Sequence, residues 1–323
     1  MNYFFIFVNM RRYGYCCINL SLSEGVSKKD RVTTNRSMTK KTYEEKGIEY
    51  VDSLVLGNVL DLVKIIEWNN HSGIKMYRMS SDMFPWCSEY ELSDLPSFGR
   101  ISNILGKAGK IAKDGGQRLT FHPSPYAVLA SSRDDVVAKA IKELRQHAEI
   151  MDIMGLDSSH FYPINIHVNT TQPDKESAAS RFCSNFEDLP DSVKKRLVVE
   201  VDDKKSQYTS VDLYNLIHSK IGIPITFDYH HDFCNRPEGP SVEESLSLCL
   251  STWPGGIDPI VHYSGSRRIF EDSSAKEVAH SDWIHERIET YGRKFDIELE
   301  VKMKDLALLR YNDEIEKIIQ HGV

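Results

Sequence analysis

The sequence predicts a closed (β/α)8 TIM barrel with a metal site at the C-terminal ends of its strands. Eight short runs rich in β-branched residues alternate with segments of helical periodicity, and no Gly- or Ser-rich linker divides the chain. Strands that alternate with helices form a parallel sheet with right-handed crossovers, and a count of eight favours the closed barrel over an open sheet. No dinucleotide-binding or phosphate-loop fingerprint supports the open sheet.

The predicted strands are short, and six of them carry a charged or imidazole side chain at or near their carboxyl end. They cover residues 11–20, 74–80, 117–122, 161–169, 196–201, 223–228, 258–264 and 295–301. The clearest helical pattern lies in residues 131–156, where Ser132 is expected to cap the helix with Asp135 as its reciprocal partner. Apolar residues then recur at the helical period, and Gly155 is expected to end the helix.

The chain is expected to form one domain over residues 11–323. Residues 1–10 are apolar but too short to span a bilayer, so we interpret them as an extension of doubtful function, with Met10 as the alternative start. Residues 21–50 are long, polar and locally basic, and are predicted to be a solvated loop.

Composition is typical of a soluble globular protein, with 41% hydrophobic and 27% charged residues. A formal net charge of −7 argues against a protein that coats nucleic acid by bulk electrostatics, although a local basic face remains compatible with it. The six cysteines show no C-x-x-C spacing and are expected to be reduced thiols of an intracellular protein. No segment is apolar enough to predict a transmembrane helix.

Imidazole or carboxylate side chains occur at the ends of six successive predicted strands. The carboxyl ends of barrel strands converge on one face, where the active sites of this fold lie. A single histidine there is more often a hydrogen-bonded structural residue, but the repetition predicts a shared site. In chain order the residues are His122, His167, Glu200, Asp228 with His231, His262 with His280, and Glu300.

This set of side chains predicts a metal centre, because buried carboxylates require cations or protons. Mixed imidazole and carboxylate ligands without thiolate suit Zn, Mn, Fe or Co better than Ca or Mg. Eight ligands exceed the need of one ion, which predicts two or three ions and a bridging carboxylate. His230 stays open as a ligand, since strand alternation would place it on the same face as Asp228. The other histidines are predicted to be surface groups: His71, His147, His160, His218, His285 and His321.

At these residues the chain resembles the UV damage endonucleases, DNA-repair barrels related to endonuclease IV. The resemblance runs from about Tyr13 to Leu308 and rests on an ordered set of segments: GYCCINL, TTNR, YRMSSDMFPW, RLTFHPSPYAVLAS, INIHVN, LVVEVDD, DYHHDFCN, VHYSG, AHSDW and ELEVKMK. It implies hydrolysis of the phosphodiester immediately 5′ to cyclobutane dimers, 6-4 products and other lesions. It also implies damaged double-stranded DNA as the partner, and an enzyme that works as a monomer inside the cell.

The resemblance further implies two to three divalent ions, manganese first, with zinc, cobalt or magnesium as alternatives. His122, His167 and Glu200 would hold one ion. Glu200 would bridge to a second ion, which Asp228, His262 and Glu300 complete, and these three carboxylates are the implied catalytic residues. His231 and His280 would serve a third ion.

Contacts with DNA are also implied by the resemblance. Tyr15 and Asn19 match a pair that probes the damaged site, and Tyr126 matches an aromatic residue that wedges into the duplex. Arg36 and other basic residues of the first loop are expected to contact phosphates.

Two positions depart from the family pattern near these residues. Pro125 stands where the family usually has the glutamine beside the wedge. Ile260 stands where some members have a lysine beside the third ion, so that site shows two clear protein ligands, with Asp232 as a substitute.

Three other functions are compatible with a barrel of this kind. They are an abasic-site endonuclease of the endonuclease IV type, a metal-dependent sugar isomerase, and a non-catalytic sensor of DNA damage. Sugar isomerases typically use more carboxylates and fewer imidazoles, so the five predicted His ligands favour phosphodiester cleavage.

Overall fold

The structure, a computed structural model, describes residues 11–321, except the side chains of Lys28 and residues 315–321. The predicted extension, residues 1–10, lies outside the described residues. None of the helices within the described range combines the length and apolar character needed to cross a membrane.

Eight parallel strands close into a barrel in sequential order, with β1 pairing with both β2 and β8. This confirms the predicted TIM barrel, and each strand falls inside its predicted run. The strands are β1 (Tyr13–Cys16), β2 (Met76–Met79), β3 (Arg118–Phe121), β4 (Ile164–Ile166), β5 (Leu197–Glu200), β6 (Ile225–Asp228), β7 (Ile260–Tyr263) and β8 (Asp296–Leu299).

Helices surround the barrel, and the connection from β7 to β8 is the exception to the alternating pattern. That connection holds a single helical turn, α10, where a full helix is expected from the fold. In order, the helices are α1 (Lys40–His71), α2 (Phe98–Asp114), α3 (Asp134–Ile153), α4 (Lys175–Glu187), α5 (Asp191–Lys194), α6 (Ser210–Leu213), α7 (Ser219–Ile221), α8 (Tyr229–Asn235), α9 (Val242–Leu250), α10 (Arg267–Phe270) and α11 (Lys304–His321). A π-helical segment, Tyr214–His218, joins α6 to α7.

The connection after β1 ends at Thr39, so it is shorter than the loop that is predicted over residues 21–50. Residues 40–50 of that predicted loop belong to α1, which begins at Lys40. The side chain of Thr39 accepts a hydrogen bond from the backbone N–H of Thr42, which caps the helix. A kink at Gly47 (φ 66°) obscures the helical pattern of the first turns, so the sequence reads there as a loop.

The start of α3 differs from the prediction, whereas its end agrees with it. Arg133 is the N-cap residue, and no side chain caps the helix, so the predicted role of Ser132 is wrong. Asp135 instead forms an ion pair with Arg133, at 2.7 Å. Gly155 adopts a left-handed backbone (φ 69°) after the last turn, and its N–H donates to the carbonyl of Asp152.

A buried ion pair fills the barrel interior towards the amino ends of the strands. The guanidinium of Arg118 on β3 lies 2.9 Å from a carboxylate oxygen of Asp296 on β8, and both residues are fully buried. Arg118 also donates to three backbone carbonyls, those of His160, Phe161 and Asp258. Because its hydrogen bonds are satisfied, this pair supports the barrel below the strand ends that carry the predicted site.

Candidate metal centre

The carboxyl ends of the strands bring six of the eight predicted metal ligands together. They form two groups in which the ligand atoms lie within 4.8 Å of one another. The first group is His122, His167 and Glu200, and the second is Glu200, Asp228, His262 and Glu300. Both groups contain Glu200, so a single carboxylate connects them.

Glu200, the last residue of β5, is fully buried and turns one oxygen towards each group. Its Oε2 lies 3.1 Å from Nε2 of His122 and 3.6 Å from Nε2 of His167. Its Oε1 lies 3.0 Å from Nδ1 of His262 and 3.2 Å from Nδ1 of His231. A carboxylate that bridges two cations needs this division of its oxygens.

The electrostatics of the two groups keep Glu200 ionised. Burial alone would raise the pKa of Glu200, but the neighbouring imidazoles of His262 and His167 lower it well below its usual value. Conversely, burial opposes charge on His262, yet the Glu200 carboxylate raises the pKa of that imidazole well above its ordinary range. Without cations the site therefore holds protons, and metal binding would release them.

Two buried carboxylate oxygens make the arrangement fit divalent cations. Oδ2 of Asp228 has no hydrogen-bond partner among the described residues, and Oε1 of Glu200 has only the close contacts with His262 and His231. Leaving such atoms unsatisfied in the interior is unfavourable. Imidazole and carboxylate ligands without a thiolate suit transition metals such as Mn or Zn.

The residues predicted to hold a third ion lie beside the two groups. Nδ1 of His231 is 2.9 Å from the carbonyl oxygen of Val201, and Nδ1 of His280 is 2.9 Å from the hydroxyl of Ser264. The rings of His231 and His280 lie 6.0 Å apart and are perpendicular. Among the described residues, these two histidines join no group of three or more ligand atoms within bonding range of one ion.

Asp232 does not replace the missing ligand of that third site. Its carboxylate accepts a hydrogen bond from Nε of Arg236 at 2.8 Å. Ile260 packs in a small apolar cluster with Met76, Val198 and Trp253. Neither side chain adds a third metal ligand beside His231 and His280.

The two adjacent histidines after β6 have different surroundings. His231 lies next to Glu200, whereas His230 packs edge-on against His280, with ring centroids 5.1 Å apart. His230 is buried, stacks with Phe233 and lines an apolar cavity of about 440 Å³. Its position supports His280 and lies outside both ligand groups.

Three residues that the sequence did not single out position the ligands. The guanidinium of Arg78 on β2 lies 2.6 Å from carboxylate oxygens of both Glu298 and Glu300. Glu298 lies 3.2 Å from Nε2 of His262, and Asn165 donates to Oε2 of Glu200. Glu298 and Asn165 each precede a predicted ligand by two residues, so strand alternation was the signal that could have identified them.

Tyr15 and Asn19, which the sequence predicts to probe the damaged site, are fully buried in this structure. Side chains alternate along a strand, so the side chain of Tyr15 faces the helical layer and that of Cys16 faces the other way. The Tyr15 hydroxyl donates to Asn69 of α1 and accepts from the Asn19 amide, both at 2.8 Å. In this conformation the pair joins β1 to α1 and exposes no surface to a duplex.

The other two predicted DNA contacts differ in exposure. Tyr126, in the loop after β3, is 82% exposed. Arg36 is held by contacts within the protein, because its guanidinium lies 2.6 Å from both the Asp61 carboxylate on α1 and the carbonyl of Thr33 in the loop.

His147 also differs from its prediction as a surface group. It is buried, its Nδ1 lies 2.8 Å from the carbonyl of Glu143, and its ring meets Phe121 edge-on. The periodicity of α3 places it on the inner side of the helix.

Comparison with known proteins gives consistent matches over nearly the whole chain. The UV-damage endonuclease of Schizosaccharomyces pombe is 36% identical over 306 residues, which cover 92% of this chain and 49% of that protein. This chain therefore spans about half the length of that relative. A UV DNA damage endonuclease of Bacillus cereus is 30% identical over 312 residues, 95% of each chain.

Solved structures agree with these matches. The crystal structure of SacUVDE superposes with a TM-score of 0.80 and 30% identity, covering 96% of this chain and 99% of the other. Endonuclease IV from Thermus thermophilus has a TM-score of 0.54 at 13% identity over 95% of this chain and 99% of the other, which shows a shared fold only. The family model described as UV-endonuclease UvdE matches residues 11–322. The chain therefore belongs to the UV-endonuclease UvdE family.

Proposed function

We propose that this protein is a DNA-repair endonuclease that hydrolyses the phosphodiester immediately 5′ to UV photoproducts. The observation that carries the proposal is the pair of ligand groups that share Glu200 at the carboxyl face of the barrel. In a member of the UvdE family, this pair is what a multinuclear hydrolytic centre requires. Cyclobutane dimers and 6-4 products are the expected lesions.

Divalent ions at these groups would supply Lewis-acid activation of water and of the phosphodiester. The first group would hold its ion through His122, His167 and one oxygen of Glu200. The second would use the other oxygen of Glu200 with Asp228, His262 and Glu300. Manganese is the metal we expect first, and zinc, cobalt and magnesium are alternatives.

The residues around the ligands would hold the second group in a fixed geometry. Arg78 neutralises Glu298 and lies against Glu300, so the Glu300 carboxylate has a fixed orientation before any ion binds. Glu298 faces Nε2 of His262, which leaves Nδ1 turned towards Glu200 and Glu300. Carboxylate partners of this kind set the tautomer and basicity of ligand histidines.

Recognition of the lesion would depend on the weakness of the damaged duplex. A pyrimidine dimer stacks and pairs poorly. Bending the duplex and exposing the dimer therefore costs less free energy than bending an undamaged duplex and exposing normal bases. Tyr126 projects from the loop after β3 and would fill the gap. Pro125 precedes it where the family usually has glutamine, so the tyrosine would act without an amide partner.

A nicking assay tests the proposal directly. Irradiated, abasic and undamaged duplexes would be incubated with metal-stripped protein, with and without added Mn²⁺. We expect incision of the irradiated duplex only with Mn²⁺, and a break immediately 5′ to the lesion. Nicking of the abasic duplex alone would identify an enzyme of the endonuclease IV type. Metal-dependent turnover of a ketose without nicking of any duplex would overturn the proposal.

A further inference from the structure

A second cavity of about 460 Å³, lined in part by charged side chains, adjoins the candidate metal centre. Its walls come from the ends of β1 and β2 and from the segments that follow β7 and β8. Two predicted metal ligands, His280 and Glu300, form one side. Three basic residues, Arg78, Lys302 and Lys304, also line it.

Two residues of this cavity adopt a backbone conformation that side chains disfavour. Lys304 has φ 48° and Cys17 has φ 66°, and neither is glycine. Such conformations persist where the surroundings impose them and concentrate at functional sites. At Cys17 the surroundings are two hydrogen bonds of 2.8 Å, one from its N–H to the carbonyl of Arg78 and one from the Tyr77 hydroxyl to its own carbonyl.

The walls that carry these two residues are tied together. Asp305, fully buried in the first turn of α11, accepts hydrogen bonds from the backbone N–H groups of Leu20 at 2.6 Å and Ser21 at 2.9 Å. The turn after β8 is thereby fixed against the turn after β1. The cavity between them is formed before any ligand binds.

The three basic residues differ in whether their positive charge is already paired with a carboxylate. Arg78 is bound to Glu298 and Glu300, and the ammonium of Lys302 lies 3.6 Å from Asp282. Lys304 has no side-chain hydrogen bond or ion pair with any described residue. The positive charge of Lys304 acts on the groups that line the cavity. Burial raises the pKa of Cys17 to about 11, and the charges of Arg78 and Lys304 oppose that rise.

We propose that this cavity binds a backbone phosphate of the DNA strand next to the phosphate that is cleaved, with Lys304 as its principal contact. The inference rests on the proposed function, because it takes DNA as the substrate. An anion held here would lie beside Glu300, and therefore beside the second ligand group. A phosphate contact of this type positions the strand and carries no information about sequence or damage.

The test compares Lys304→Gln with a matched control, Lys294→Gln. Lys294 precedes β8 at the amino end of the barrel, where it pairs with Asp258 at 2.9 Å. We expect Lys304→Gln to weaken binding of irradiated and undamaged duplexes by the same factor, roughly fivefold at low salt, and to lower the magnitude of the salt-dependence slope by about one. Lys294→Gln should bind like the wild type, and Lys304→Arg should restore most of the affinity.

A second variant separates this role from a structural one. Lys304→Gly removes the charge and also relieves the left-handed backbone, so it should bind DNA weakly while its melting temperature stays equal to or above that of the wild type. Metal content should not change in either variant.

Wild-type affinity and salt slope in Lys304→Gln would overturn the inference. So would a loss confined to irradiated DNA, since a phosphate contact does not detect lesions, and so would a loss of bound metal. These results are independent of nicking by the wild type. A wild type that never nicks irradiated DNA, combined with weaker DNA binding in Lys304→Gln, would overturn the proposed function and retain the phosphate subsite.

Discussion

Glu200 is the residue on which both ligand groups depend. Replacing it by glutamine keeps the shape of the side chain but removes the charge that four imidazoles surround. We expect Glu200→Gln to lose binding at both ion sites and to lower the incision rate by about 100-fold or more. Elemental analysis and an incision assay would measure the two effects, with the exposed Glu187→Gln as the control. Normal metal content with normal incision would contradict a bridging role.

Glu298 gives a prediction that separates the two groups. Its carboxylate faces Nε2 of His262 and accepts from the hydroxyl of Thr120 at 2.6 Å, but it belongs to neither ligand group. Glu298→Gln should lower the affinity for one ion by about tenfold to 100-fold and leave the other ion bound. Metal titration followed by calorimetry would resolve the two ions. An equal loss at both sites would contradict a role limited to His262.

Among single residues, six of the eight candidate ligands lie close together, as the sequence predicts, because they lie at the ends of strands. A strand end can be recognised from an apolar run that stops, and a barrel brings all such ends to one face. Arg78 could not be identified in this way. It lies within β2, and its partners are Glu298 on β8 and Glu300 directly after β8, more than two hundred residues away in the chain.

Among the elements, the loop between β1 and α1 is tied to α1 by Arg36. Its ion pair with Asp61 is partly buried, with side-chain exposures of 30% and 5%. Arg36→Met should lower the free energy of unfolding by about 1–3 kcal/mol, because the Asp61 carboxylate loses a charged partner. Urea unfolding would measure this loss, and exposed Arg133→Met at the start of α3 serves as the control. Unchanged stability together with weaker DNA binding would instead support the phosphate contact predicted from the sequence.

The helix α8 shows why the role of His230 could not be derived from strand alternation. The helix begins directly after the candidate ligand Asp228, whose side chain accepts a hydrogen bond from the N–H of His231 at 2.7 Å. Successive residues on a helix point about 100° apart, so His230 and His231 diverge towards different neighbours. Strand alternation therefore ends at Asp228, and the condition that would place His230 on the face of Asp228 is not met.

The contacts of Tyr15 could not be predicted from the sequence, because they depend on how β1 packs against α1. The resemblance matched its position in the chain, but the alternation of β1 turns its ring towards α1 and Asn69. Burial of this side chain is a tertiary effect, since it requires the packing of a helix that begins only at Lys40.

For the molecule as a whole, the buried pair Arg118–Asp296 connects β3 to β8 across the barrel. Arg118→Met leaves the Asp296 carboxylate without its buried partner, and should cost about 3–5 kcal/mol of unfolding free energy. The double variant Arg118→Met/Asp296→Leu should be less destabilised than this single variant, since it removes both charges of the buried pair and leaves Arg12 with Asp258 as its partner. Denaturant unfolding would measure both. A double variant that loses the sum of the two single losses would contradict a coupled pair.

The overall architecture was predictable because eight apolar runs alternate with helical segments, and a closed barrel of eight parallel strands accounts for all of them. The irregular segments were not, since α10 and the long connection from β7 to β8 follow no periodic pattern. That connection carries His280, whose position depends on a bridge to Ser266 and on the hydroxyl of Ser264.

Incision is proposed to require ions in both of the groups that share Glu200. This requirement can be tested by titrating Mn²⁺ into metal-stripped protein while following incision of a duplex with one defined cyclobutane dimer. We expect little incision until a second equivalent binds, and then a single break immediately 5′ to the dimer. Full incision by metal-free protein, or by protein with one ion per chain, would show that the two groups do not act together.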